Sequence, residues 1–225
     1  MSQNGSERTK DVTIYGPTVS TFTRICAIVA AEAELSWEII PTGSGSADMA
    51  EHHPFMRSPA VYLDGLHFYE TPAICSYIDR AHNRSRLHPD GHEAQARMWQ
   101  WANIAAHYVF PITEERLVMP RVVAPLMGRQ PNEQMIGEAL PVIRYHLEVV
   151  EKRLAETAFL AGADLSLADY FMYPVIEATC AAREGRDMVA GLPLLESWWQ
   201  AVAQRSAVKA TAWPDVSAMA EAQTR

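Results

Sequence analysis

The sequence predicts a two-domain chain: an α/β domain over residues 11–82, then an all-helical domain over residues 91–218. Three observations carry this. Short β-branched and aromatic runs surround one helical pattern up to about residue 70, and none follows. Asp64-Gly65 sits between two of those runs, which is the strongest short-range hairpin signal. Beyond the polar connector HNRSRLHPDG, apolar residues recur only at three- and four-residue steps, as on a helix face.

Taken in order, residues 1–10 are polar, lack an apolar h-region and read as a disordered tail rather than a secretory signal. Val12 to Tyr15 reads as a buried strand closed by the Gly16-Pro17 turn. Ser20 to Ala33 reads as a helix with Phe22, Ile25, Cys26 and Val29 on one face. Leu35 to Ile40 reads as a second strand, parallel to the first by its βαβ spacing. PTGSGSAD is a loop by composition. Ala60–Leu63 and Leu66–Tyr69 form the hairpin, and Thr71 and Pro72 suit the N-cap and first position of a helix running to about Ala81.

In the second half, Met98, Trp101, Ala105, Tyr108 and Ile112 mark a helix that Pro111 should kink or end. Ile136, Leu140, Ile143, Leu147, Val150 and Leu154 form the inward stripe of a long helix whose regular part can start at Pro141. Ser166 and Asp169 are spaced for a capping box, with Leu165 and Tyr170 placed as a hydrophobic staple.

Composition bounds the function. A net charge of −8 with scattered Lys and Arg argues against nucleic acid and against an anionic membrane surface. No run of 18 apolar residues exists to span a membrane. The 3 cysteines form no CxxC and cannot all pair within one chain, which points to a reducing, cytoplasmic setting. His52-His53 has no matching acid cluster and makes no metal site. Tyr15 reads as core within its strand.

Three stretches resemble the glutathione transferase superfamily. IYGPTVSTFTR is similar to its first strand and the serine turn of its serine-type, bacterial-like classes. HPFMRSPAVYLDGLHFYETPAIC resembles its cis-proline, hairpin and glutamate-serine or glutamate-threonine stretch. FLAGADLSLADYFMYPVI resembles the capped start of its C-terminal helix. Met56 departs from a frequent glycine, Ser58 from a valine or isoleucine, and Pro72 from an arginine or glutamine. The resemblance implies a thioredoxin-like first domain, a helical second domain, glutathione as co-substrate and a homodimer. It implies a transferase joining the glutathione thiolate to small hydrophobic electrophiles in detoxification. Other glutathione-dependent reactions on the same fold (peroxide reduction, dehalogenation, ether cleavage, isomerisation) and a non-catalytic binding role stay open.

The resemblance also implies roles residue by residue. Ser20 matches the catalytic serine, although its surroundings alone make it a helix N-cap; Thr18 and Thr21 are neighbouring hydroxyls. Glu70 and Thr71 match the pair that holds the γ-glutamyl ammonium and carboxylate, where capping alone is the plainer reading. Ser58-Pro59 matches the cis-proline site that meets the cysteinyl backbone. Arg57 matches a position near the glycyl carboxylate, or is a solvated surface arginine. Asn103 matches an asparagine sent across the dimer, or is a polar helix flank. Phe22, Tyr108, Phe110 and Met119 are candidates for an apolar electrophile pocket between the domains, and each also suits plain core packing.

Overall fold

A computed structural model describes residues 10–213 of the chain. The expected tail therefore lies outside the described residues apart from Lys10, as do residues 214–218 of the expected helical domain. The chain divides into two compact units, Met1–His82 and Asn83–Arg225.

The first unit holds β1 (Val12–Tyr15), α1 (Thr21–Glu32), β2 (Trp37–Ile40), α2 (Ala47–Ala50), β3 (Ala60–Leu63), β4 (Leu66–Tyr69) and α3 (Thr71–His82). Its four strands lie in the order β2-β1-β3-β4. β1 runs parallel to β2 and antiparallel to β3, and β4 is antiparallel to β3. This is the expected thioredoxin-like arrangement. Val12 and Ile14 are fully buried, as are most residues of α1, so the core lies on that face of the sheet. Strand alternation turns Tyr15 the other way. It is half-buried and stacks on His52 with ring centroids 3.6 Å apart, not in the core as its strand context suggested.

Asp64 and Gly65 both take positive φ, 54° and 77°, the type I′ turn whose twist matches a hairpin. The Asp64 carboxylate ties that turn to the end of α3. It accepts from the Tyr77 hydroxyl at 2.9 Å and pairs with His82 Nε2 at 2.7 Å. The His82 hydrogen bond, chiefly, holds the Asp64 carboxyl below its ordinary value. A carboxyl with a lowered folded pKa adds stability above its unfolded value and loses it as pH falls through the folded one. Asp64→Asn should therefore be less stable than the parent above about pH 4, and the difference should shrink as pH falls below that. Acid unfolding curves of the two proteins test this, and identical curves count against the tie.

The second unit is helical, and among its described residues no strand occurs. α4 (His92–Ile104), α5 (Phe110–Thr113) and α6 (Ala124–Leu126) are joined end to end by π-helical segments Ala105–Val109 and Glu114–Val123. α7 (Glu133–Leu154), α8 (Leu167–Ala181), α9 (Arg183–Ala190), α10 (Pro193–Ala203) and α11 (Ser206–Ala210) follow.

Pro111 does not end its helix, and Pro120 lies inside the second π segment. Proline removes one N–H and crowds the carbonyl four residues back. The wider π register accommodates both, and the Thr113 hydroxyl donates to the Val109 and Phe110 carbonyls at 2.8 and 3.2 Å. The register change also rotates the expected face. Met98, Trp101 and Ala105 are buried, but Tyr108 is 62% exposed and Val109 takes the inward place. In α7 the regular helix begins at Glu133, before Pro141, because Asn132 caps it by accepting from Met135 N–H at 3.0 Å. Ala139, not Leu140, fills the buried position there.

Ser166 and Asp169 form the expected capping box at the start of α8. The Asp169 carboxylate does more than cap. Oδ2 accepts from Ser166 N–H at 2.9 Å and its hydroxyl at 3.0 Å. Oδ1 accepts from Leu160 N–H at 3.0 Å and Trp198 Nε1–H at 2.9 Å. One buried acid thus joins the loop before α8, the start of α8 and α10.

Candidate functional site

Strand register gathers the expected glutathione residues of the first unit at one end of the sheet. The last residue of β1, Tyr15, lies opposite the first of β3, Ala60. Ala60 in turn lies opposite Tyr69, the last of β4. The turn after β1 carries Ser20, the segment before β3 carries Arg57, Ser58 and Pro59, and the residues after β4 are Glu70 and Thr71. β2 ends beside Tyr15 as well, so the loop holding Ser44 starts at the same end.

Ser20 is the N-cap of α1, with extended backbone (φ −74°, ψ 129°). Its Oγ accepts from Thr23 N–H at 3.4 Å, a long bond. That contact uses a lone pair and leaves the hydroxyl proton free to be donated. Gly16 permits the close approach around it. A Cβ at Gly16 would collide with Thr23 Oγ1 and lie 3.4 Å from Ser58 Cβ, so only glycine lets β1, α1 and the proline segment meet here.

The Ser58–Pro59 peptide is cis. Ser58 Oγ and Ser44 Oγ are 2.7 Å apart. Met56 takes a left-handed backbone, φ 53°, and its carbonyl accepts from Gly45 N–H at 2.8 Å. That conformation costs glycine little, which accounts for the glycine the resemblance leads one to expect. Arg57 is exposed and has no ion pair or hydrogen bond among the described residues, leaving it available to a carboxylate.

Helix α3 corrects one detail. The Glu70 carbonyl accepts from Ala73 and Ile74 N–H at 2.9 and 3.0 Å, so Glu70, at φ 72°, is the flanking residue and Thr71 the first helical one. Pro72 has no N–H, so the α3 terminus presents the Thr71 amide and hydroxyl rather than a row of free amides. The Glu70 side chain is 66% exposed and faces His53 Nε2 at 3.8 Å.

In the second unit, Asn103 Nδ2 donates to the Trp99 carbonyl at 2.7 Å, within its own helix. Tyr108 and Met119 are exposed and Phe110 is half-buried, all on or beside the π-helical segments. Phe22, in the first unit, is half-buried on α1. Among the described residues no His, Cys, Asp and Glu cluster could hold a metal ion.

Three features escaped the sequence. Ser44 lies in a stretch read only as loop. His53 carries a signal, a histidine beside a proline, but nothing in it points to Glu70. Glu114 sits at a π segment whose existence no periodicity announces; burial first, then the neighbouring Glu115, push its carboxyl up. It has no ion pair or hydrogen bond among the described residues.

The two units together define a class of protein, a thioredoxin-like domain with a cis-proline loop followed by a helical domain. Comparison narrows it. Residues 14–86 match the model of the glutathione S-transferase N-terminal domain, and residues 113–206 match that of its C-terminal domain. The chain is 31% identical over 209 residues to glutathione S-transferase 4 of Zea mays, covering 91% of this chain and 93% of that protein. Among solved structures, maize glutathione S-transferase I in complex with an atrazine glutathione conjugate superposes with a TM-score of 0.80 at 25% identity, over 94% of this chain and 98% of that one. Glutathione S-transferase-I bound with lactoylglutathione gives a TM-score of 0.81 at 25% identity, over 93% and 99%. The chain belongs to the glutathione S-transferase family, transferase enzymes with glutathione as co-substrate. The serine-type, bacterial-like class expected from the serine turn is not supported, since similar curated relatives are plant proteins, among them that of maize and glutathione S-transferases of rice and Arabidopsis. Among the described residues no helix is long and apolar enough to cross a membrane.

Proposed function

We propose that the chain conjugates glutathione to small hydrophobic electrophiles, with the Ser20 hydroxyl donating to the thiolate. The observation that carries the reading is the strand register, which brings Ser20, Ser58-Pro59 and Glu70-Thr71 to one end of one sheet. Glu70 takes the γ-glutamyl ammonium and Thr71 its carboxylate. The Ser58 backbone pairs with the cysteinyl residue as an added strand would. Arg57 takes the glycyl carboxylate. The thiolate sulfur bonds to the electrophilic carbon; a halide departs with its electron pair, whereas an opened epoxide or an enone keeps that pair on its own oxygen or enolate and takes up a proton.

Phe22, Tyr108, Phe110 and Met119 contact the electrophile. Tyr108 and Met119 are exposed in the π-helical segments, and Phe22 and Phe110 are half-buried, so each keeps apolar surface that a small ligand can cover. The working form is a cytoplasmic homodimer, for which Phe55, 72% exposed, is an anchor on the first unit and Asn103 reaches the partner's glutathione. The three free, buried cysteines agree with a reducing compartment.

Retention on immobilised glutathione, followed by a panel of aryl halides, epoxides and enones, tests this. The expected result is elution by free glutathione and turnover of at least one electrophile. Passage through the column without retention would remove the glutathione site.

A further inference from the structure

His53 is 2% exposed, beside a glutamate that is not. Its Nδ1 accepts from the Phe55 backbone N–H at 3.1 Å. A backbone N–H only donates, so Nδ1 carries no proton and the neutral ring holds its proton on Nε2. Nε2 lies 3.8 Å from Glu70 Oε1. That is longer than a hydrogen bond, but the exposed Glu70 side chain is free to close the gap. The histidine is not free to move. Its backbone N–H donates to Met49 O at 2.9 Å, its carbonyl accepts from Met56 N–H at 2.9 Å, and Tyr69 packs on the ring at 4.8 Å.

We propose that His53 is a positioning residue that holds the Glu70 carboxylate for the γ-glutamyl ammonium of glutathione. This rests on the role of Glu70 given above. The ammonium engages one carboxylate oxygen and His53 Nε2–H the other, so the acid is held in a single rotamer by a donor that is itself immobile. Contacts of this kind often tighten only in the complex. An acid free in solvent would instead lose rotamer freedom at each binding event.

Two variants separate the two ring nitrogens. His53→Asn keeps an acceptor near Nδ1 for the Phe55 N–H and loses the donor toward Glu70. His53→Gln keeps a donor near Nε2. Calorimetry on the full chain would compare glutathione with its des-amino analogue, in which hydrogen replaces the γ-glutamyl amino group. His53→Asn should weaken glutathione binding about 3- to 10-fold and leave the analogue within about twofold, and His53→Gln should recover most of the loss. Adding His53→Asn to Glu70→Gln should cost nothing further. Unchanged glutathione affinity in His53→Asn overturns the proposal, as does equal weakening of both ligands. Failure of the Glu70 reading looks different: Glu70→Gln alone would then leave the preference for glutathione over the analogue intact.

Discussion

Replacing Ser20 by alanine should lower the conjugation rate at neutral pH by about 10- to 100-fold, with much of the loss recovered at higher pH. The thiolate is the nucleophile, and a free thiol has a pKa of about 8.5. Lowering that by ~2 units takes ~2.7 kcal/mol of preference for the charged form. A hydrogen bond to a charged group supplies ~1.5–3 kcal/mol, and the start of a helix such as α1 adds ~0.3–1 kcal/mol. The hydroxyl serves two ends at once, since capping uses its lone pair on Thr23 N–H and the thiolate would use its proton. Ser20→Ala should therefore also cost ~0.5–2 kcal/mol of stability. Rate against pH and thermal unfolding, measured on both proteins, read the two roles apart. An unchanged kinetic pKa with a lowered Tm would leave Ser20 as a cap only, and Thr18 and Thr21 would be the next hydroxyls to replace.

The largest stability effect should come from Asp169. Its two oxygens receive four donors, and the residue is fully buried. Asp169→Ala strands Leu160 N–H, Ser166 N–H and Trp198 Nε1–H away from water. Each buried donor left unmade costs ~1–3 kcal/mol, so a total of about 3–5 kcal/mol is expected after relaxation. Asp169→Asn is a sharper test. It preserves shape and can keep the Leu160 and Trp198 bonds on its oxygen, while its NH2 meets the Ser166 hydroxyl, which can turn to accept, and the Ser166 N–H, which cannot, so asparagine should be clearly destabilising but less damaging than alanine. Burial pushes this carboxyl above its ordinary value while its four hydrogen bonds pull it back. Urea unfolding of the two variants measures the effect, and an Asp169→Asn protein as stable as the parent would mean that the four bonds contribute little.

Much of the fold is legible in the amino-acid sequence. The Asp64-Gly65 turn, the βαβ spacing and the Ser166/Asp169 box are local signals, and local chemistry alone satisfies them. The end-of-sheet cluster is legible only through resemblance, because nothing near Ser20 in sequence points to Ser58 or Glu70. Register brings them together. What stays hidden depends on contacts formed across the fold. Trp198 reaching Asp169 joins residues in different helices. His53, in the loop between α2 and β3, faces Glu70 just beyond the end of β4. The π segments are hidden for another reason: a helix-period reading assumes 3.6 residues per turn, and Pro111 then looks like a terminator.

Those π segments have a consequence for how this part of the chain can change over time. A π turn amounts to one residue inserted into an α-helix that absorbed it without breaking. Deleting a single residue from Glu114–Val123 would let the chain relax toward the tighter register. Every side chain beyond the deletion would swing by about 100° about the axis. Tyr108, upstream, would stay where it is while residues downstream turned. The surface along this helix can thus be re-phased by a change in length, with no substitution at any residue that forms it.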